Sequence, residues 1–345
     1  MFMGLWPRGK AVSLVLAASL FGAGYVLANP IASGIDTGEI SLAPNASIEL
    51  VEEDLYLSVD TVKARYLFRN SSMKAVRTGV AFPLPPIDYS EAARWMEAQP
   101  APERNLGFSL WIDGQAAIYE LDVRAKSATG ADISDILAKW DIPVADLVSY
   151  GERFEELMSK IASLPLHARQ ELYAAGVIKD DGNTYGPKSL PFRPDLETYI
   201  NFQWTMEFDP NVPVEVLISY SPVPSSTPFA LEVLDADPMG IAMKQVFCLD
   251  SGILSEARRI LATNSTGSGI LRADMLSYIL TTANSWRGRI GRFHLTIDTL
   301  STDAIASTCL DGIHKTGPTT LEWERFNFQP EDELSVLFLS EMIFE

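Results

Sequence analysis

The stretch SIELVEEDLYLSVDTVKARYLFRN, residues 47–70, decides the architecture. Leu55, Leu57 and Val59 fall on one face of an extended chain. After Asp60-Thr61, Val62, Ala64, Tyr66 and Phe68 do the same, with Lys63, Arg65 and Arg69 on the other face. Side chains of a strand point alternately to its two faces. This period of two, with a turn in the middle, predicts an antiparallel pair, apolar inward and charged outward.

The pattern continues downstream. AVRTGVAFPLPP (75–86) reads as a strand stopped by Pro83, Pro85 and Pro86, which have no N–H to donate. FSLWIDGQAAIYELDV (108–123) is strand, Asp113-Gly114, strand, a hairpin signal because both turn residues tolerate positive φ. Between Gly130 and about Ile178 the period changes. Phe154, Leu157, Met158 and Ile161 recur at helical spacing, Asp132 and Ser134 offer a cap, and Pro143 and Pro165 suit first turns. Strand signals return at 199–208 and 213–221, then near 274–282, 292–298, 304–310, 319–328 and 333–340, with one helix over 253–263. The expected fold is mainly β (α+β). Two antiparallel β-sandwich-like domains are expected, 29–128 with 196–224 and then 225–345, with residues 129–195 a helical insertion in the first.

The N-terminus places Arg8 and Lys10 before an apolar run from Ala11 to Ala28 that ends Val26-Leu27-Ala28. That is the pattern of a signal peptide over residues 1–28, cleaved after Ala28. Eighteen apolar residues also sit at the lower limit for a retained anchor. No other segment approaches spanning length, so the expectation is an exported protein, periplasmic or extracellular in a bacterium, with no membrane span after cleavage. Without Arg8 and Lys10, 25 basic residues face 45 acidic ones, a net charge near −20. Such a surface repels phosphate backbones and argues against nucleic acid as a partner.

The chain has two cysteines, in FCLDSG (247–252) and TCLDGIHK (308–315). Zinc sites and redox pairs call for spacings such as C-x2-C, and each cysteine here stands alone. In an exported chain, a Cys248–Cys309 disulfide is the simplest account. Closing about 60 residues contributes roughly 4 kcal/mol by the chain-entropy argument. The neighbouring Asp and Gly residues suit tight turns.

No G-x-S-x-G elbow, H-E-x-x-H, Walker A or G-x-G-x-x-G element appears, so the sequence names no catalytic residue, metal or cofactor. His167 belongs to the helical segment, and His294 should lie opposite Phe293 and Leu295 on its strand. The one candidate ligand-binding patch is WRGRIGR. There Trp286, Arg287, Arg289 and Arg292 could grip a carboxylate or sulfate, or stack a sugar. The competing account pairs these arginines with the protein's own acids.

EEDLYLSVDTVKARYLFRN (52–70), VAFPLP (80–85), Trp111 to Gly114, FCLD, NSWRGRIGRFHLTID (284–298) and CLDGIHKTGPTTLE (309–322) follow one another in order. In these the chain resembles a bacterial family of exported proteins defined only as a domain of unknown function. Arg289 stands where that resemblance leads one to expect proline. The resemblance implies no activity. The N-terminal half also resembles the β-sandwich shared by vault and inter-alpha-trypsin-inhibitor proteins, which implies that 199–221 completes the first domain. The functional expectation is a non-enzymatic binding or structural envelope protein with a protein or glycan partner. The alternative is an envelope hydrolase acting on glycan or peptide through paired carboxylates.

Overall fold

The structure is a computed structural model that describes residues 41–42, 47–83, 87–88, 107–144, 152–180, 192–222, 224–234, 238–263 and 269–342. The expected signal segment lies outside the described residues.

The opening stretch forms β2 (Ile48–Leu57) and β3 (Val62–Asn70), paired antiparallel. Ile48, Leu50, Leu55, Leu57, Val62, Ala64, Tyr66 and Phe68 are all buried. Asp113 (φ 48°) and Gly114 (φ 74°) both take positive φ between β6 (Ser109–Ile112) and β7 (Gln115–Ala116), as the hairpin signal requires. With β12 (Pro213–Tyr220), β15 (Ile290–Asp298), β17 (His314–Lys315) and β18 (Thr320–Phe328) they build one large sheet. Its order is β17-β18-β15-β2-β3-β12-β6-β7.

Two smaller sheets face this large one. The first is centred on β11 (Leu196–Phe208), whose thirteen residues alternate between buried and partly or fully exposed positions. Residues 201–208 of β11 pair with β4 (Val76–Pro83) and residues 196–203 with β8 (Glu120–Ser127). Beyond β4 the sheet is extended by β1 (Ser41–Leu42), β5 (Ile87–Asp88) pairs with the start of β11, and β9 (Ile178–Asp180) and β10 (Phe192–Pro194) pair with each other. Phe202 of β11 stacks on Phe108 at 3.8 Å, and Phe208 meets Phe68 edge-on at 6.1 Å, so aromatic rings knit the two layers. The second small sheet orders β13 (Ser225–Phe229), β14 (Leu271–Tyr278), β19 (Leu334–Glu341) and β16 (Ile305–Ser307) as β13-β14-β19-β16. Its central strands are apolar on both faces. Leu276, Tyr278, Val336 and Phe338 join the main core, while Leu271, Ala273, Leu337 and Leu339 form a second core. Two helices cover that outer side, α4 (Pro238–Val246) and α5 (Ser251–Thr263), with Phe247 and Ile260 completing the second core.

The helical segment lies between β8 and β11 as expected. It contains α1 (Ser134–Lys139), α2 (Glu152–Ser163) and α3 (Leu166–Ala174). Pro165 is the N-cap of α3, and Asp132 accepts a hydrogen bond from the Ser134 amide at 2.8 Å. Two features go beyond the sequence reading. The sheet is continuous across residue 225, because β15 pairs in parallel with β2 from Arg292–Glu52 to Ile297–Leu57. And α4 forms in a part of the β-rich C-terminal region to which the sequence assigns no element.

Asn70 shows how the strand ends are fixed. It is fully buried; its amide donates to the carbonyls of Lys74 (2.7 Å) and Phe208 (2.9 Å), and its oxygen accepts from the Ser72 amide (2.9 Å). Alanine there leaves buried backbone groups unsatisfied. Asn70→Ala is therefore expected to cost about 2 kcal/mol in urea unfolding; an unchanged midpoint would assign the corner to backbone contacts alone.

Candidate functional site

The two CLD stretches meet. Cys248 ends the turn between α4 and α5, Cys309 follows β16, and they form a disulfide with Cα atoms 5.1 Å apart across 61 residues of sequence. Cys248 adopts φ +51°. Asp250 acts as the cap of α5, its Oδ1 accepting from the Ile253 amide at 2.9 Å. Asp311 precedes Gly312, whose φ of +83° makes the turn into β17. The aspartates thus have the local roles expected of them, and both also line a cavity.

That cavity, about 480 Å3, opens at the side of the stacked sheets, and the disulfide forms part of its wall. Ile253 of α5, Ile297 of β15, Leu310, Ile313 and Leu321 of β18 give it apolar walls, with Asp250 and Asp311 at the rim. A second cavity of about 360 Å3 adjoins it and shares Ile253, Ala306 and Leu321. Its other lining residues include Glu256, Lys315, Pro318 and Thr319. Together they make one groove between α5, the edge strand β16 and the β17–β18 hairpin. Glu256 is held by Arg259 on the same helix at 2.8 Å. Asp250 and Asp311 are both exposed.

The arginine patch does not converge on a ligand. Trp286 is only 6% exposed, and its ring lies 4.4 Å from that of Phe68 in the main core. It offers no face for a sugar. Arg287 donates to the Ser71 hydroxyl and lies 3.8 Å from Glu49. Arg292 bridges Glu324 (2.7 Å) and Asp54 (2.9 Å). Its hydrogen bond to Glu324 is the main reason its guanidinium titrates above the usual arginine range, with Asp54 adding to the effect and burial opposing it. Arg289 is exposed on the turn. Arg292 belongs to a ladder of charges across the outer face of the large sheet, in which Arg65 holds Glu52, Asp54 and Glu215. His294 lies there too, 3.6 Å from Asp54 and on the face opposite Phe293 and Leu295.

Sequence reasoning passed over Glu53, which is fully buried. A register shift between Leu50 and Glu52 changes the phase of β2 and turns Glu53 inward. The Tyr278 hydroxyl donates to it at 3.5 Å and lies 2.5 Å from the Tyr66 hydroxyl, joining the two sheets through a buried polar contact. The groove itself had one sequence signal, the pairing of the two CLD motifs, which brings Asp250 and Asp311 to one rim. Among the described residues, no group of three or more His, Cys, Asp or Glu side chains is placed to hold a metal ion.

Residues 28–337 match the family defined as a domain of unknown function, DUF4424. The chain belongs to that family. The ordered motifs from EEDLYLS to CLDGIHK fall inside the span shared with other DUF4424 members. No curated protein matches this DUF4424 chain. Among solved structures it is similar to a Legionella pneumophila protein provisionally named a nutrient binding protein. The identity is 12%, over 89% of this chain and 71% of that one, with a TM-score of 0.44. It is also similar to an M1 zinc metallopeptidase of Deinococcus radiodurans, at 7% identity and a TM-score of 0.23, over 85% of this chain and 42% of that one. Likenesses this distant carry no role over to the DUF4424 chain. Among its described residues, no helix is long and apolar enough to cross a membrane.

Proposed function

We propose that this protein is exported to the bacterial envelope, the periplasm above all, and there binds a ligand in the groove beside the disulfide without transforming it. The observation that carries the reading is the groove itself, with apolar walls, charged residues only at its rim, and an edge strand along one side. Binding sites are typically concave and mostly apolar with a few polar groups at fixed positions. Export is supported by the basic-then-apolar N-terminus and by a disulfide, which persists in oxidising compartments. The hydrolase alternative needs two carboxyl groups converging in a desolvated cleft. Asp250 and Asp311 share a cavity but are exposed, and Asp250 is engaged as a helix cap, so the geometry favours holding over cleaving.

The test uses the full exported protein and an apolar fluorescent anion, 1-anilinonaphthalene-8-sulfonate. One site per chain is expected. Ile253→Asn and Ile313→Glu, on opposite walls, should each weaken it about tenfold while the melting temperature moves by only a few degrees. Equal affinity in both variants would remove the groove as the binding site.

A further inference from the structure

The groove is electrically lopsided. Its first half carries Asp250 and Asp311 at the rim, with the one guanidinium of Arg325 held on the Asp311 carbonyl at 2.6 Å, so the aspartates outnumber it. Its second half carries Lys315 and Glu256, and Arg259 already neutralises Glu256. Between them lies the apolar stretch shared by both halves, Ile253, Ala306 and Leu321. The complementary molecule has a cation at one end, an anion at the other and an apolar body between.

We propose that the groove takes a short apolar peptide with both termini free, its ammonium beside Asp250 and Asp311 and its carboxylate beside Lys315. This rests on the groove being the binding site. Size favours a peptide over a single amino acid. Each half alone has the volume of an ordinary small-molecule site, of about 300 Å3 or more, so one residue would leave most of the groove to water. The edge strand β16 lines both halves, Ala306 being common to the two, so the groove runs on past a single half and suits an elongated ligand. Affinity comes from the apolar walls. The exposed rim charges fix direction and reject blocked ends, since charge pairs open to water contribute modestly.

Calorimetric titration of the full exported protein compares trileucine, N-acetyl-trileucine, trileucine amide and decanoate. Trileucine should bind about fivefold tighter than either blocked form. Asp311→Asn should shrink the penalty for acetylation, with Asp250 keeping the remainder, and Lys315→Gln should erase the penalty for amidation, each leaving the other penalty in place. Both side chains are exposed, so melting temperatures should stay near that of the parent. Equal binding of free and blocked peptides overturns the proposal, and so does decanoate binding as tightly as trileucine. If no peptide binds while the anilinonaphthalene anion still reports the groove, the peptide inference falls and the binding reading stands. If neither binds, both fall.

Discussion

Removing the Cys248–Cys309 bond, by reduction or as the paired Cys248→Ser, Cys309→Ser variant, is expected to lower stability by about 4 kcal/mol. Without the bond the unfolded chain regains the entropy of an open loop 61 residues long. That loop includes α5, β14, β15 and β16, so it draws on both the large sheet and the second small one. The loss should not be uniform. The α4–α5 layer rests on a separate, smaller apolar core, and the bond ties its turn to the strand side. In the reduced protein, amide exchange should rise first in α4, α5 and β16, ahead of β2 and β3. Both cysteines are exposed, so a reductant reaches the bond in the folded protein. Equal urea midpoints with and without reductant would mean that strand pairing alone holds the helical layer.

The second large effect belongs to Gly291. A Cβ at this position would sit 2.5 Å from the Val51 carbonyl oxygen, a backbone atom that no side-chain rotation can move away. The contact arises where β15 joins β2, beside the register shift in β2. Gly291→Ala must spread two hydrogen-bonded strands or bend one of them. Overpacking of this kind costs about 3 kcal/mol at its upper end, expected here because the obstacle is main chain. A melting temperature lower by several degrees is the readout. Gly79→Ala is the control: it finds nothing within 4 Å and should change stability little. A pair of variants with equal melting temperatures would contradict the close approach.

Much of the fold could be read from residues because alternation reports its own strand. The β2–β3 pair, the Asp113-Gly114 hairpin, the proline-terminated β4 and the longer strands after residue 270 declare themselves locally, whereas the two-residue β17 does not. Strand period carries no information about which strand lies alongside, or in which direction, so the parallel β2–β15 junction was invisible. The helix α4 escaped notice because PMGIAMKQV has one charge and no polar stripe to mark a helical face. Trp286 misled for a related reason. It lies in a turn, where no period assigns a face, and its arginine neighbours suggested a surface. The Arg287 amide instead bonds to the Ile48 carbonyl at 3.0 Å and draws the indole against the sheet. The groove was half legible: the cysteines announced that their surroundings meet, but Lys315 and Ile253 join it only through the packing of α5 beside the hairpin.

The parallel junction also fixes an order of events. Asp54 and its partner Arg292 are 238 positions apart, and β2 has no neighbour on that side until β15 is available. While the chain emerges from a ribosome or a translocation pore, its first half carries an open sheet edge in the middle of what becomes the large sheet. Such an edge invites pairing with other chains, and contacts this distant in sequence form slowly. A molecule built this way is safest unfolded until β15 has been made and can close that edge.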